Sequence, residues 1–167
     1  MALSENCILN HTEINHKVKR IAYQIYECNV NEQEVIIAGI DSNGYLFAKK
    51  IKSALVEICN IKPVLCKVII DKKKPHLLIK TSLKPDEYRN KSLVLVDDVL
   101  NSGTTLIYGV KHFLEVPLKQ FKTAVLINRN HKKYPVKADF KGISLSTSIK
   151  EHVSVVFKGQ QTKAVLK

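Results

Sequence analysis

The residues best placed for chemistry lie in VLVDDVLNSGTT, residues 94–105. Two adjacent carboxylates, Asp97 and Asp98, follow a short apolar run, and Asn101, Ser102, Gly103, Thr104 and Thr105 form a small hydroxyl-rich turn ahead of a helical pattern. A helix N-terminus offers unpaired backbone N–H groups and a favourable dipole, so a phosphate dianion fits there without a lysine. Ser102, Thr104 and Thr105 add hydroxyl donors, and Gly103 lets the backbone approach closely. Asp97 and Asp98, one ribose length away, can accept hydrogen bonds from two vicinal hydroxyls that the phosphate turn cannot hold. The pairing points to a sugar phosphate. Taken singly, each half has a plainer reading: acidic pairs cap loops after strands, and Ser-Gly-Thr-Thr starts helices.

A second turn-prone segment, Asp41-Ser42-Asn43-Gly44, also follows an apolar run directly. In open α/β sheets, ligands bind beyond the carboxyl ends of the strands, so both segments sit where a site is expected.

Both need strands to carry them. Val35 to Gly39, Val64 to Ile70, Leu93 to Val96 and Thr123 to Ile127 are short and almost wholly apolar, the pattern of strands covered on both faces. Between them run helical patterns. Ile14, Val18, Ile21, Ala22, Ile25 and Cys28 share one face of a helix over Thr12 to Cys28, capped by Asn10 or Thr12; Phe47, Ile51, Ala54, Leu55 and Ile58 share another. Thr104 to Leu114 forms a further helix after the glycine turn. Strands alternating with helices predict an α/β fold, a central, mostly parallel sheet with helices on both faces. Residues 71–91 are polar and lysine-rich, hold Pro75 and Pro85, and read as a mobile excursion with a small hairpin. From Asp139 onward only β-leaning pieces occur, at His152 to Phe157 and Ala164 to Leu166, which predict edge strands or a small C-terminal flap.

A chain of 167 residues fits one domain over 1–167. Apolar residues at 45% and charged residues at 25% exclude disorder and collagen-like repeats. No run of about 20 apolar residues is present, and the start lacks a secretory pattern, so a cytoplasmic protein is expected. Cys7, Cys28, Cys59 and Cys66 are scattered without metal or disulfide spacing and read as reduced thiols. The net charge of +12 is the unusual quantity. The excess is concentrated after Lys111, and it suits either phosphate-rich partners, RNA among them, or plain solubility.

VLVDDVLNSGTT resembles the phosphoribosyl pyrophosphate (PRPP) motif of type I phosphoribosyltransferases. AGIDSNGYLFAKKI is similar to an upstream loop, and AVLINRNHKKYPVKADFKGISLSTS (124–148) to the C-terminal part, of the bifunctional pyrimidine-operon attenuators that are also uracil phosphoribosyltransferases. The resemblance implies a Rossmann-like transferase of nucleotide salvage that moves the 5-phosphoribosyl group of PRPP to a nucleobase, of uracil or 6-oxopurine type, and releases pyrophosphate. It implies Mg²⁺ as cofactor and a homo-oligomer, a dimer or larger. Asp97 and Asp98 would be catalytic, holding the ribose hydroxyls or the water shell of Mg²⁺. Asn101 to Thr105 would hold the 5′-phosphate, and Asp41, Ser42, Asn43 and Gly44 would form the pyrophosphate loop. Lys137, Asp139 and Phe140 would contact the base within a base-recognition region at about 129–150. Lys137 reads equally as a solvated charge.

The chain also departs from the family. An arginine commonly precedes the glycine of the pyrophosphate loop, where this chain has Asn43, which predicts weaker pyrophosphate binding. Purine-specific members carry an aspartate at the position of Asn101, and asparagine cannot take a proton from the base. The excursion is shorter than the family's hood; Lys72, Lys73 and Lys74 either substitute electrostatically or are a solvated run. An active enzyme, a PRPP- or nucleotide-sensing regulator with RNA-binding, and an unrelated α/β module therefore stay open at this point.

Overall fold

A computed structural model describes residues 6–167; residues 1–5, the start of the predicted domain, lie outside the described residues. In chain order the elements are β1 (Asn6–Leu9), α1 (His11–Glu27), β2 (Glu34–Ile40), α2 (Asn43–Ile58), β3 (Lys62–Ile69), β4 (Lys80–Thr81), α3 (Pro85–Tyr88), β5 (Ser92–Leu100), α4 (Thr104–Phe113), β6 (Gln120–Asn128), β7 (Phe140–Ser144), β8 (Val153–Val156) and β9 (Lys163–Leu166).

Six strands form the central sheet in the order β4-β3-β2-β5-β6-β7. All neighbours are parallel except the short β4, which runs antiparallel to β3. The apolar runs explain this: a strand whose successive side chains point to opposite faces must be apolar throughout if helices cover both. Along β5, Val94 and Val96 face the core beneath α1 and α2, while Leu93 and Leu95 face the core beneath α4 and Tyr88. The helix over α1 begins at Asn10, whose Oδ1 accepts from the Glu13 N–H at 2.9 Å while Glu13 Oε2 accepts from the Asn10 N–H at 2.8 Å. That reciprocal pair satisfies two end-of-helix donors. Among the described residues, no helix is long and apolar enough to cross a membrane.

Two details differ from the sequence reading, and a third extends it. β5 continues past Val96 through both aspartates to Leu100, because β6 goes on pairing with it as far as Leu100–Asn128 after β2 has ended. The second half of the excursion is built into the core: β4 pairs with β3, and Tyr88, 1% exposed, packs edge-on against Phe113 with ring centroids 5.0 Å apart. The expected C-terminal flap forms as β8 and β9, two of the three strands of a second sheet that β1 completes by pairing antiparallel with β9, while β7 is an edge strand of the central sheet.

Candidate active site

β5 runs between β2 and β6 and outlasts β2, and the segments that follow β2 and β5 meet at its end. Asp97 and Asp98 are the sixth and seventh of the nine residues of β5 and are 5% and 9% exposed. Asp97 Oδ1 accepts from the Asp98 backbone N–H at 2.9 Å. Burial pushes the Asp97 carboxyl well above the usual range, the charge of Asp98 pushes it the same way, and Lys72 opposes both. An anion there is costly unless a cation or hydrogen-bond donors arrive with the ligand.

The N-terminus of α2 lies directly over this pair. A β-carbon on Gly44 would stand 2.9 Å from Asp97 Oδ1 and 2.9 Å from the Val96 carbonyl oxygen, so only glycine lets the helix come so close. Asn43, one residue earlier, donates from Nδ2 to Asp98 Oδ2 at 3.2 Å and to the Val155 carbonyl of β8 at 2.9 Å. The segment 41–44 is thus a two-residue turn and the first turn of α2, rather than an open loop. Asp41 donates its N–H to the Val68 carbonyl at 2.8 Å and pairs with Lys67 Nζ at 3.4 Å; the Asp41–Ser42 peptide is cis.

Beyond Leu100 the chain turns into α4. Gly103 holds φ at +83°, the left-handed region open to glycine, and no side chain caps the helix. Ser102 Oγ and Thr104 Oγ1 are 2.8 Å apart. The Ser102 carbonyl accepts from the N–H groups of Lys133 at 2.8 Å and Tyr134 at 3.2 Å, so residues 133–134 brace the turn from behind. A cavity of about 230 Å³ opens here, lined by Lys72, Asp97, Val99, Asn101 and the Ser102–Thr105 turn. It joins a buried carboxyl group at one end to hydroxyls and the N-terminal end of α4 at the other, where the Thr104 N–H donates to Ser102 Oγ at 3.3 Å.

The expected base-contacting residues are not brought to this cavity. Phe140 is 7% exposed and packs in the core on the α1 and α2 side. Asp139 Oδ2 accepts from the Thr123 N–H at 3.0 Å, an anchor to β6. Lys137 stands on the surface, its side chain 79% exposed and 3.8 Å from Asp139 Oδ1.

Arg129 falls in the base-recognition region, and the resemblance alone implies a place for it in shaping the base pocket. In the fold it is 7% exposed and donates from Nη1 to Asn101 Oδ1 at 2.9 Å. The two are brought together because β6 and β5 end side by side, with the Arg129 N–H donating to the Leu100 carbonyl at 3.0 Å. No local spacing signals such a pair.

Comparison with known proteins agrees with this geometry. The family model described as the phosphoribosyl transferase domain matches residues 5–158. The bifunctional protein PyrR of Fusobacterium nucleatum is 33% identical, with 95% of this chain and 94% of that protein covered. The bifunctional protein PyrR of Clostridium kluyveri is 31% identical, with 89% and 88% covered. In fold, the chain is similar to the hypoxanthine phosphoribosyltransferase of Trypanosoma cruzi, at a TM-score of 0.79 with 16% identity and 97% and 95% of the two chains covered. A hypoxanthine-guanine phosphoribosyltransferase from Bacillus anthracis gives a TM-score of 0.72 at 20% identity, covering 84% and 81%. An acidic pair buried at the end of the central strand, a hydroxyl-lined turn beside it and a family match over residues 5–158 lead to one conclusion: this chain belongs to the phosphoribosyl transferase domain family.

Proposed function

We propose that the chain transfers the 5-phosphoribosyl group of PRPP to a nucleobase nitrogen, of uracil or 6-oxopurine type, and releases pyrophosphate. One observation carries the reading: a single cavity joins Asp97 to the Ser102–Thr105 turn, a division of labour that fits a ribose at one end and its 5′-phosphate at the other. Ser102, Thr104 and Thr105 hold the 5′-phosphate together with the free N–H groups of α4. Asp97 and Asp98 hold the ribose hydroxyls, and Lys72 adds positive charge beside Asp97. Catalysis on this arrangement is positioning and charge stabilisation as the bond between ribose and pyrophosphate loosens.

The residues fit Mg²⁺. Two carboxyl groups are hard oxygen donors, and a cation beside them would offset what burial and Asp98 cost the ionised form of Asp97. Among the described residues, no group of three or more histidine, cysteine or acidic side chains gathers, and Asp97 and Asp98 are the residues that would hold the ion. When bound, the ion neutralises charge on the departing pyrophosphate.

The test is pyrophosphate release from PRPP with uracil, hypoxanthine, guanine, xanthine and adenine in turn, with and without EDTA. Release with one base, abolished by EDTA, is the expected result; no release with any of them refutes the transferase. Lys137→Ala in the same assay should raise KM for the base and leave KM for PRPP unchanged if Lys137 serves the base.

The net charge of +12 favours a second reading, RNA binding by a regulator that senses PRPP or a nucleotide. Retention of RNA on filters that falls steeply with salt supports it, and absent or salt-insensitive retention removes it.

A further inference from the structure

Arg129 is buried, yet every partner of its guanidinium is a neutral oxygen. Nη1 donates to Asn101 Oδ1 at 2.9 Å, Nε to Thr147 Oγ1 at 3.0 Å, and Nη2 to the carbonyls of Ser148 at 3.3 Å and Glu151 at 2.6 Å. No carboxylate lies within ion-pair distance of it among the described residues. Buried arginines are normally matched by an acid, because an uncompensated charge in the interior is costly. The charge of Arg129 is therefore left over for whatever binds beside Asn101.

The same contact fixes the amide of Asn101. A guanidinium has only donors, so the atom facing it must be the carbonyl oxygen. Asn101 Nδ2 is then turned away from Arg129, on a residue that lines the cavity, and it has no protein partner among the described residues. We infer that Arg129 is a positioning residue for the phosphoribosyl group: it holds Asn101 with its N–H₂ presented to the 5′-phosphate and supplies uncompensated positive charge behind it. This rests on the transferase reading above. Through Ser148 and Glu151, Arg129 also fastens the segment leading to β8 against the phosphate turn, so two walls of the site share one anchor.

The experiment is PRPP binding by calorimetry in the presence of Mg²⁺, with thermal unfolding, on the wild type, Asn101→Ala, Arg129→Lys and the double variant. Each single variant should weaken PRPP about tenfold, the scale of one hydrogen bond to a charged group. The double should be no weaker than the weaker single, since both remove one contact. Asn101 is exposed and water can replace its Oδ1, so the midpoint of Asn101→Ala should stay at the wild-type value while affinity falls, which a merely structural role would not produce. Wild-type affinity in Asn101→Ala, or losses that multiply in the double, overturns the inference and leaves the transferase standing. A wild type that does not bind PRPP overturns both. If Arg129→Lys fails to fold, Asn101→Ala alone decides.

Discussion

The carboxamide of Asn43 donates to Asp98 Oδ2 at 3.2 Å and, from the same nitrogen, to the Val155 carbonyl at 2.9 Å. The residue that the sequence presents as a missing cation in a pyrophosphate loop is thus a strut. It joins the first turn of α2, the acidic pair of β5 and the small sheet at β8.

Cutting that strut should cost stability and disturb Asp98. Asn43→Ala removes a donor from two partly buried acceptors and should lower the unfolding free energy by about 1–3 kcal/mol in urea denaturation. Asn43→Asp should cost more at neutral pH, because a new carboxylate faces Asp98 at hydrogen-bond distance, and the extra cost should fade as the solution is acidified. Equal stability of both variants at all pH values would show that Asn43 and Asp98 do not interact.

Asp97 gives a pH-dependent expectation of definite sign. Its pKa is raised in the folded state, chiefly by burial and then by Asp98. The folded protein therefore holds this proton more tightly than the unfolded chain, and stability declines as pH rises from the unfolded value of about 3.9 through the folded one. Asn at this position can still accept from the Asp98 N–H. Asp97→Asn should accordingly melt higher than wild type near neutral pH, with the difference closing toward pH ~4. The same variant should lose turnover. A lower melting temperature at neutral pH, or retained turnover, contradicts the role given to Asp97.

Much of this was legible in the sequence, and what was not has a common cause. The strands β2, β3, β5 and β6 and the helices α1, α2 and α4 follow from apolar periodicity, which is local. The acidic pair and the hydroxyl turn are adjacent in sequence, so their chemistry could be read before their geometry. The strand β1 escaped because NCIL is four residues long and becomes a strand only by pairing with β9 at the far end of the chain. Tyr88 looked like part of a loop because its burial depends on Phe113. The pairs Asn43–Asp98 and Asn101–Arg129 are tertiary, made by strands and helices ending side by side, and no spacing within one segment encodes them. Phe140 was expected at the base only through the resemblance, and it fills the core beside Ala124 and Leu126.

Of the three lysines that open the excursion, only Lys72 lines the cavity, and its charge acts on Asp97. Lys72→Met should raise KM for PRPP by about tenfold, the effect of one charge-assisted contact with a phosphate. It should also flatten the dependence of that KM on salt. Lys73→Met and Lys74→Met serve as controls and should leave KM unchanged. A loss of similar size in all three would assign the effect to general charge rather than to a contact.

Gly103 is where a small change should separate backbone strain from packing. Its φ of +83° disfavours any side chain, and a β-carbon there would stand 2.6 Å from Val136 Cγ1. Gly103→Ala should therefore destabilise the protein by about 1–3 kcal/mol through the backbone alone, with the collision adding to it. It should also weaken PRPP, because the turn that presents Ser102 and Thr104 must move to relieve the strain. Adding Val136→Ala removes the collision and leaves the backbone cost. The double variant should then recover part of the stability in denaturant titration, and PRPP affinity only to the extent that the turn returns to its place. Full recovery of both would mean that the left-handed conformation of residue 103 is not required for the phosphate turn, and no recovery would mean that Val136 does not press on it.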